Sequence, residues 1–208
     1  MVASRKLLLA MNRKDFLRTS VFSAFALSTF GFIVKKEENF SGDCETTNDI
    51  LGPFYRDNAP VRNNLINKDM EGQEVLIKGI VYGSDCSTPL KDAKVEIWHC
   101  SNKGEYDNTS DKYQHRAQWY TDENGFYSFK TLLPGKYLNG NQFRPAHIHF
   151  RVSAKNQDEL ISQLYFKGDP HITSDPWAKK KSAENRILPI VLEDSMGNLV
   201  VNFNIYLS

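Results

Sequence analysis

The feature that most restricts this chain is a succession of short β-rich segments between Glu74 and Leu207, each closed by turn residues. Glu74–Gly83 and Ala93–Cys100 come first, followed by Phe126–Leu132, Ala146–Ala154 and Gln163–Phe166. Ile187–Leu192 and Leu199–Leu207 end the chain. Partial alternation and richness in Val, Ile and aromatics suit strands, and Gly, Pro, Asn and Asp stop each run. Such punctuation falls at Ser84–Leu90, Glu123-Asn124-Gly125, Pro134-Gly135 and Asp194–Gly197. Only Gln157–Ser162 and Pro176–Ala183 have room for much helix. The expected fold class is all-β: a single β-sandwich of short mixed or antiparallel strands, with long loops and little helix. Glu123-Asn124-Gly125 is expected to close a hairpin onto Phe126–Leu132.

Composition removes several functional classes. Aromatic residues make up 12% of the 208 positions, and 26 basic residues face 25 acidic ones, so the chain is not a disordered one. A net charge of +1 gives no electrostatic footing for nucleic acid, and none is expected as a partner.

Residues 1–34 read differently from the rest. Arg13 and Lys14 precede an apolar run from Thr19 to Val34, which Lys35 and Lys36 close. A basic start followed by a short apolar stretch is an export pattern, here with a twin-arginine-like look in which one Arg is Lys. The expectation is an exported chain: periplasmic, cell-surface or secreted. Residues 13–34 are an alternative membrane anchor, and Met11 an alternative start. Residues 35–50 read as a linker or arm, and 51–208 as the folded domain. In an exported protein Cys44 and Cys86, both in loop-like sequence, are the expected disulfide pair, and Cys100 a buried free thiol.

The chemistry gathers around His147-Ile148-His149. On a strand, residues i and i+2 share a face, so two imidazoles can share one metal ion while Ile148 points into the core. No Asp or Glu lies between Glu123 and Asp158, which argues against a two-histidine, one-carboxylate iron site. Tyrosine is nearby instead: Tyr137 after Pro134-Gly135-Lys136, and Tyr106 after Lys103-Gly104-Glu105. A phenolate is a hard anionic ligand that ionises at neutral pH only beside a strong cation. Two phenolates with two imidazoles suit ferric iron better than zinc or magnesium. Other readings of the same residues are a hydrolytic or copper-type site using His147, His149 and His99 or His171, and a non-enzymatic transthyretin-like or carbohydrate-binding sandwich. Glu96 is expected in a cross-strand ion pair, Trp98 and Trp119 in the core or a pocket wall, and Trp177 capping a loop.

Seven motifs occur in order: Leu51-Gly-Pro-Phe-Tyr55, Val95-Glu-Ile-Trp-His99, Gly104-Glu-Tyr106, Thr121-Asp-Glu-Asn-Gly-Phe-Tyr-Ser-Phe129, Pro134-Gly-Lys-Tyr137, Arg144-Pro-Ala-His-Ile-His-Phe150 and Gln163-Leu-Tyr-Phe-Lys-Gly-Asp-Pro170. Together they resemble the intradiol ring-cleaving dioxygenases, close to the protocatechuate 3,4-dioxygenase branch. The resemblance implies a mononuclear non-haem Fe(III) held by Tyr106, Tyr137, His147 and His149. It implies cleavage of a catechol-type ring by O2 to a cis,cis-muconate-type product. Tyr137 matches the axial ligand that also serves as base, Arg144 the cation beside the iron, and Gln163 a residue of the substrate pocket. A homo-oligomer is a candidate assembly. The branch follows its axial tyrosine with Pro-Trp; here Leu138-Asn139 stands there, which removes a large aromatic from the pocket side.

Overall fold

The computed structural model describes residues 44–192 and 198–208. The expected leader, the first part of the arm (35–43) and the Asp194–Gly197 turn lie outside the described residues. Twelve strands are described: β1 (Glu74–Tyr82), β2 (Lys94–Trp98), β3 (Arg116–Tyr120), β4 (Phe126–Leu132), β5 (Tyr137–Asn139), β6 (Gln142–Arg144), β7 (His147–Ser153), β8 (Leu160–Phe166), β9 (Ile187–Leu188), β10 (Val191–Leu192), β11 (Leu199–Asn202) and β12 (Ile205–Tyr206). The helical content described is one 3-10 segment, Lys181–Arg186.

Two five-stranded sheets form the expected sandwich. One runs β10-β11-β1, with β12 continuing along the β11 edge of β1 and β4 antiparallel on its other edge; the second runs β3-β2-β7-β8-β9. The β1–β11, β1–β12 and β8–β9 pairs are parallel, so the sheets are mixed. β5 and β6 form a separate hairpin.

The core lies between the sheets. Val75, Ile77, Tyr127, Phe129 and Phe203 meet Val95, Ile97, Ile148, Phe150 and Val152, all buried. Phe150 is central, with Phe203 and Phe129 at ring-centre distances of 5.2 and 6.1 Å. Each such side chain contributes about 2 kcal/mol by leaving water.

Five expectations change. Ile187–Leu192 is two strands in different sheets, Ile187–Leu188 beside β8 and Val191–Leu192 beside β11, with Pro189, which has no N–H to donate, at the break. Asp122–Gly125 closes no hairpin: β3 pairs with β2 and β4 with β1, so the turn passes the chain from one sheet to the other. Asp122 Oδ1 accepts the N–H groups of Asn124 and Phe126, and the Gly125 carbonyl accepts from Val81, which fixes the turn to the opposite sheet. Leu199–Leu207 is two strands, because the chain bends at Phe203-Asn204 directly over Gly79. A Cβ on Gly79 would stand 1.9 Å from the Phe203 carbonyl oxygen. Leu160–Ser162, inside a segment with helical room, begins β8 because Leu160 is needed in the core. β3 and the β5–β6 hairpin, too short and too polar to register as periodic runs, are additional.

Residues 44–50 are bonded into the domain. Thr46 N donates to the Tyr206 carbonyl at 3.1 Å and Asp49 N to Ile161 at 2.7 Å. Cys44 and Cys86 form a disulfide across 42 residues, with Cα atoms 6.0 Å apart. Cys100 is a buried free thiol. Replacing both Cys44 and Cys86 by Ser removes a loop constraint on the unfolded chain of about 4 kcal/mol. We expect calorimetry to show a melting temperature lower by about 10 °C; an unchanged value would contradict this role.

Candidate metal centre

β7 carries core residues on one face and His147 and His149 on the other. The register with its neighbours completes that second face: Trp98 and Gln163 flank His149, and Tyr165 lies beside His147. The Trp98 indole stacks flat on the His149 ring, with centres 4.8 Å apart and planes 9° from parallel. Trp98 is therefore a wall of the site, whereas Trp119 packs on Phe129 in the core.

The two tyrosines arrive on loops that lock together through glycines. Gly104 has φ +83°, and a Cβ there would lie 2.4 Å from the Lys136 carbonyl oxygen; one on Gly135 would lie 2.3 Å from that of Asn102. Backbone can approach this closely only without a side chain. The result sets Tyr106 against Tyr137, with centres 5.5 Å apart. Tyr137 lies 5.6 Å from His147, His147 lies 4.9 Å from His149, and His149 lies 6.4 Å from Tyr106. The four rings make a closed circuit. Phe54 stacks on Tyr106 at 4.2 Å, and a Cβ on Gly52 would touch His149 Cε1 at 3.3 Å. The Leu51–Tyr55 segment thus roofs the circuit.

Donor atoms in this circuit lack partners. Tyr106 Oη, His147 Nε2 and both ring nitrogens of His149 are buried with no hydrogen bond. His147 Nδ1 lies 2.7 Å from the Pro145 carbonyl. A carbonyl only accepts, so Nδ1 carries the proton and Nε2 presents its lone pair. Burial pushes the His147 imidazolium pKa down to about 4 and that of His149 well below its usual value, so both rings are neutral and able to ligate. Burial pushes the Tyr106 phenol well above 10; that of Tyr137 also rises, against the pull of Arg144. Only a strong cation between them would invert that balance and make phenolates. Unpaired buried polar atoms are costly. Neutral imidazoles beside phenols fit a hard, highly charged metal ion as the group that satisfies them.

Arg144 and Gln163 lie next to the circuit. The β5–β6 register sets Arg144 across from Tyr137. Gln163 is fully buried; Oε1 accepts from Arg144 Nη2 at 3.1 Å, and Nε2 donates to the Ile50 carbonyl at 2.9 Å. The acid absent from the local sequence comes from far along the chain, because Asp175 pairs with Arg144 at 2.8 Å. Trp177 lies over the same guanidinium. Sequence reasoning did not select Asp175, Asp49, Tyr165 or Arg186. A buried arginine needs a carboxylate, but nothing in the local pattern says which one.

His99 and His171 do not join, and among the described residues no group of three His, Cys, Asp or Glu side chains is placed to hold a metal ion. His99 spends Nδ1 on the Cys100 carbonyl and Nε2 on Thr131 Oγ1, at 2.7 and 2.8 Å, and His171 lies against Phe143. This removes the reading that adds either one to His147 and His149. Glu96 pairs with Lys94 at 3.2 Å and faces Arg151 across strands, as expected.

Comparison with known proteins gives the class. The family model described as "Dioxygenase" matches residues 50–208. Chlorocatechol 1,2-dioxygenase of Rhodococcus opacus is 31% identical over 188 residues, which cover 78% of this chain and 72% of the relative. Catechol 1,2-dioxygenase 2 of Acinetobacter lwoffii is 34% identical over 150 residues, 62% of this chain and 54% of the relative. The chain therefore spans only about half the length of some curated relatives. Among solved structures, catechol 1,2-dioxygenase from Acinetobacter sp. ADP1 inhibited by bound mercury superposes with a TM-score of 0.68 at 26% identity, covering 93% of this chain and 69% of that one. The dioxygenase domain of a dioxygenase carbohydrate-binding protein fusion from Streptomyces sp. SirexAA-E gives 0.67 at 24% identity, covering 79% and 98%, and speaks to the fold alone. The chain belongs to the intradiol ring-cleaving dioxygenase family.

Gly104→Ala tests how the tyrosine loops are held. It forces a Cβ into the Lys136 carbonyl at positive φ, and we expect a loss of stability of about 1–3 kcal/mol. Denaturant titration should show this loss, together with weakened metal retention; wild-type values for both would refute the interlock.

Proposed function

We propose that this chain is a catechol-cleaving intradiol dioxygenase whose centre is one non-haem Fe(III) held by Tyr106, Tyr137, His147 and His149. The observation that carries this is the closed circuit of four rings, three of which (Tyr106, His147 and His149) carry buried donor atoms without a partner. Bound ferric iron would act as a Lewis acid on the catechol hydroxyls.

The chain's own residues supply the rest. Tyr137, the half-buried phenol of the set, is the base that takes a catechol proton on Oη. The Arg144 cation, opposite Tyr137 on the hairpin, favours negative charge as it develops on the ring. Phe54, Trp98 and Gly52 close the walls around Tyr106 and His149, and Gln163 holds Arg144 from behind. The names of the relatives favour a catechol or chlorocatechol over a larger phenol. A non-enzymatic sandwich gives no reason for two imidazoles and two phenols to close into one circuit. We read residues 1–34 as an export signal or anchor; the Cys44–Cys86 disulfide agrees with an oxidising compartment.

The test is turnover of catechol by the iron-loaded protein under 18O-labelled O2. Both labelled atoms should enter one ring-opened diacid, with no peroxide released. His147→Ala should lose both bound iron and turnover to background. An iron-loaded wild type inert toward catechols, or a fully active His147→Ala, would overturn the assignment.

A further inference from the structure

Behind the ring circuit lies an ion network that ligation does not explain. Arg144 is 2% exposed, and its Nε and Nη2 donate to the Asp175 carboxylate at 2.8 and 3.3 Å. Asp175 is fully buried and also accepts the N–H groups of Trp177 and Ala178 at 2.9 and 2.8 Å. The Trp177 ring centre lies 4.3 Å from Arg144 Cζ. Nη2 further donates to Gln163 Oε1 at 3.1 Å and Tyr165 Oη at 3.2 Å. The guanidinium is thus held along one edge by a carboxylate, covered on one face by an indole, and pinned at one nitrogen from β8.

The network continues into the arm. Tyr165 Oη donates to Asp49 Oδ2 at 3.0 Å, and Arg186 Nη1 to the same oxygen at 2.7 Å. Two buried cations and two buried anions therefore balance.

A carboxylate gripping two nitrogens of one guanidinium fixes its plane as well as its charge. We propose that Asp175 is a positioning residue for ring cleavage, acting through Arg144: it sets the guanidinium plane beside Tyr137, where the catechol ring gains negative charge. This rests on the proposed function above. The competing view is that Asp175 only shapes its own loop by accepting two backbone N–H groups.

Asp175→Asn separates the two, because its amide oxygen can still accept those N–H groups while the charge and one acceptor are lost. The iron-loaded wild type, Asp175→Asn, Arg144→Ala and the double variant are compared in kcat, KM, iron content and the visible spectrum of the anaerobic 4-nitrocatechol complex. Misplacing an oriented group by about 1 Å costs up to about 100-fold, and we expect a loss of about 10- to 100-fold in kcat for Asp175→Asn, with KM and iron content near wild type. The bound 4-nitrocatechol spectrum should shift. In the Arg144→Ala background, Asp175→Asn should change kcat less than about twofold, since the group it positions is gone. Asp175→Glu should recover part of the loss.

Two results would overturn the proposal: wild-type kcat in Asp175→Asn, or the same fold-loss with and without Arg144. If Asp175→Asn does not fold, because it strands a buried cation, the double variant carries the test. It should fold and match Arg144→Ala, and a slower double variant would overturn the proposal. A wild type that binds iron yet turns over no catechol defeats the proposed function itself; an active wild type with an unaffected Asp175→Asn defeats only this inference.

Discussion

Strand β7 must be buried on both faces, and much of the structure follows from that. Ile148, Phe150 and Val152 fill the space between the sheets, so His147 and His149 are committed to the opposite face by the two-residue period of a strand. A one-residue slip would exchange the two sets and cost both core and site. The second face cannot be left bare either. It is covered by the tyrosine loops, the Leu51–Tyr55 segment and the Arg144 network. Each brings polar groups that burial strips of water.

That burial explains the electrostatics of the centre. In the protein alone, low dielectric keeps the imidazoles neutral and the phenols protonated. Neutral imidazoles and phenols in one circuit fit a cation that pairs with both. The second layer is self-satisfied by comparison. Burial disfavours the Arg144 cation, yet its hydrogen bond with Asp175 and the charges of Tyr165, Asp175 and Tyr137 together outweigh this and raise its pKa. Burial likewise pushes the Asp175 carboxyl up, but the bond to Arg144, the N–H groups of Ala178 and Trp177 and the Arg144 charge together lower it. The polar layer next to the circuit therefore keeps its charges fixed.

The sandwich and its two-histidine face were legible in the sequence because both are matters of period and punctuation. Phe126–Leu132 is the strand with the expected ends, since Gly125 and Pro134 bracket it. The passage at Asp122–Gly125 was misread because turn chemistry alone does not say whether the flanking strands pair with each other. The tyrosines were found through their motifs rather than through periodicity, since Tyr106 lies in a loop and Tyr137 opens a strand of three residues, too short to show a period. Asp175 and Asp49 were invisible for the same reason: they sit 31 and 137 residues from the arginines they bind, and only the closed fold brings those pairs together. The glycines that interlock the tyrosine loops were visible as letters, but the backbone contacts that require them were not.

The most direct measurement is the visible absorption spectrum of the purified, iron-loaded chain before and after anaerobic addition of catechol. Phenolate on ferric iron gives a broad charge-transfer colour that moves when a catechol binds. We expect a coloured protein whose band shifts with catechol and is lost in Tyr106→Phe combined with Tyr137→Phe. A protein that remains colourless after ferric or ferrous loading, with no iron retained, would contradict the two-tyrosine centre on which the account rests.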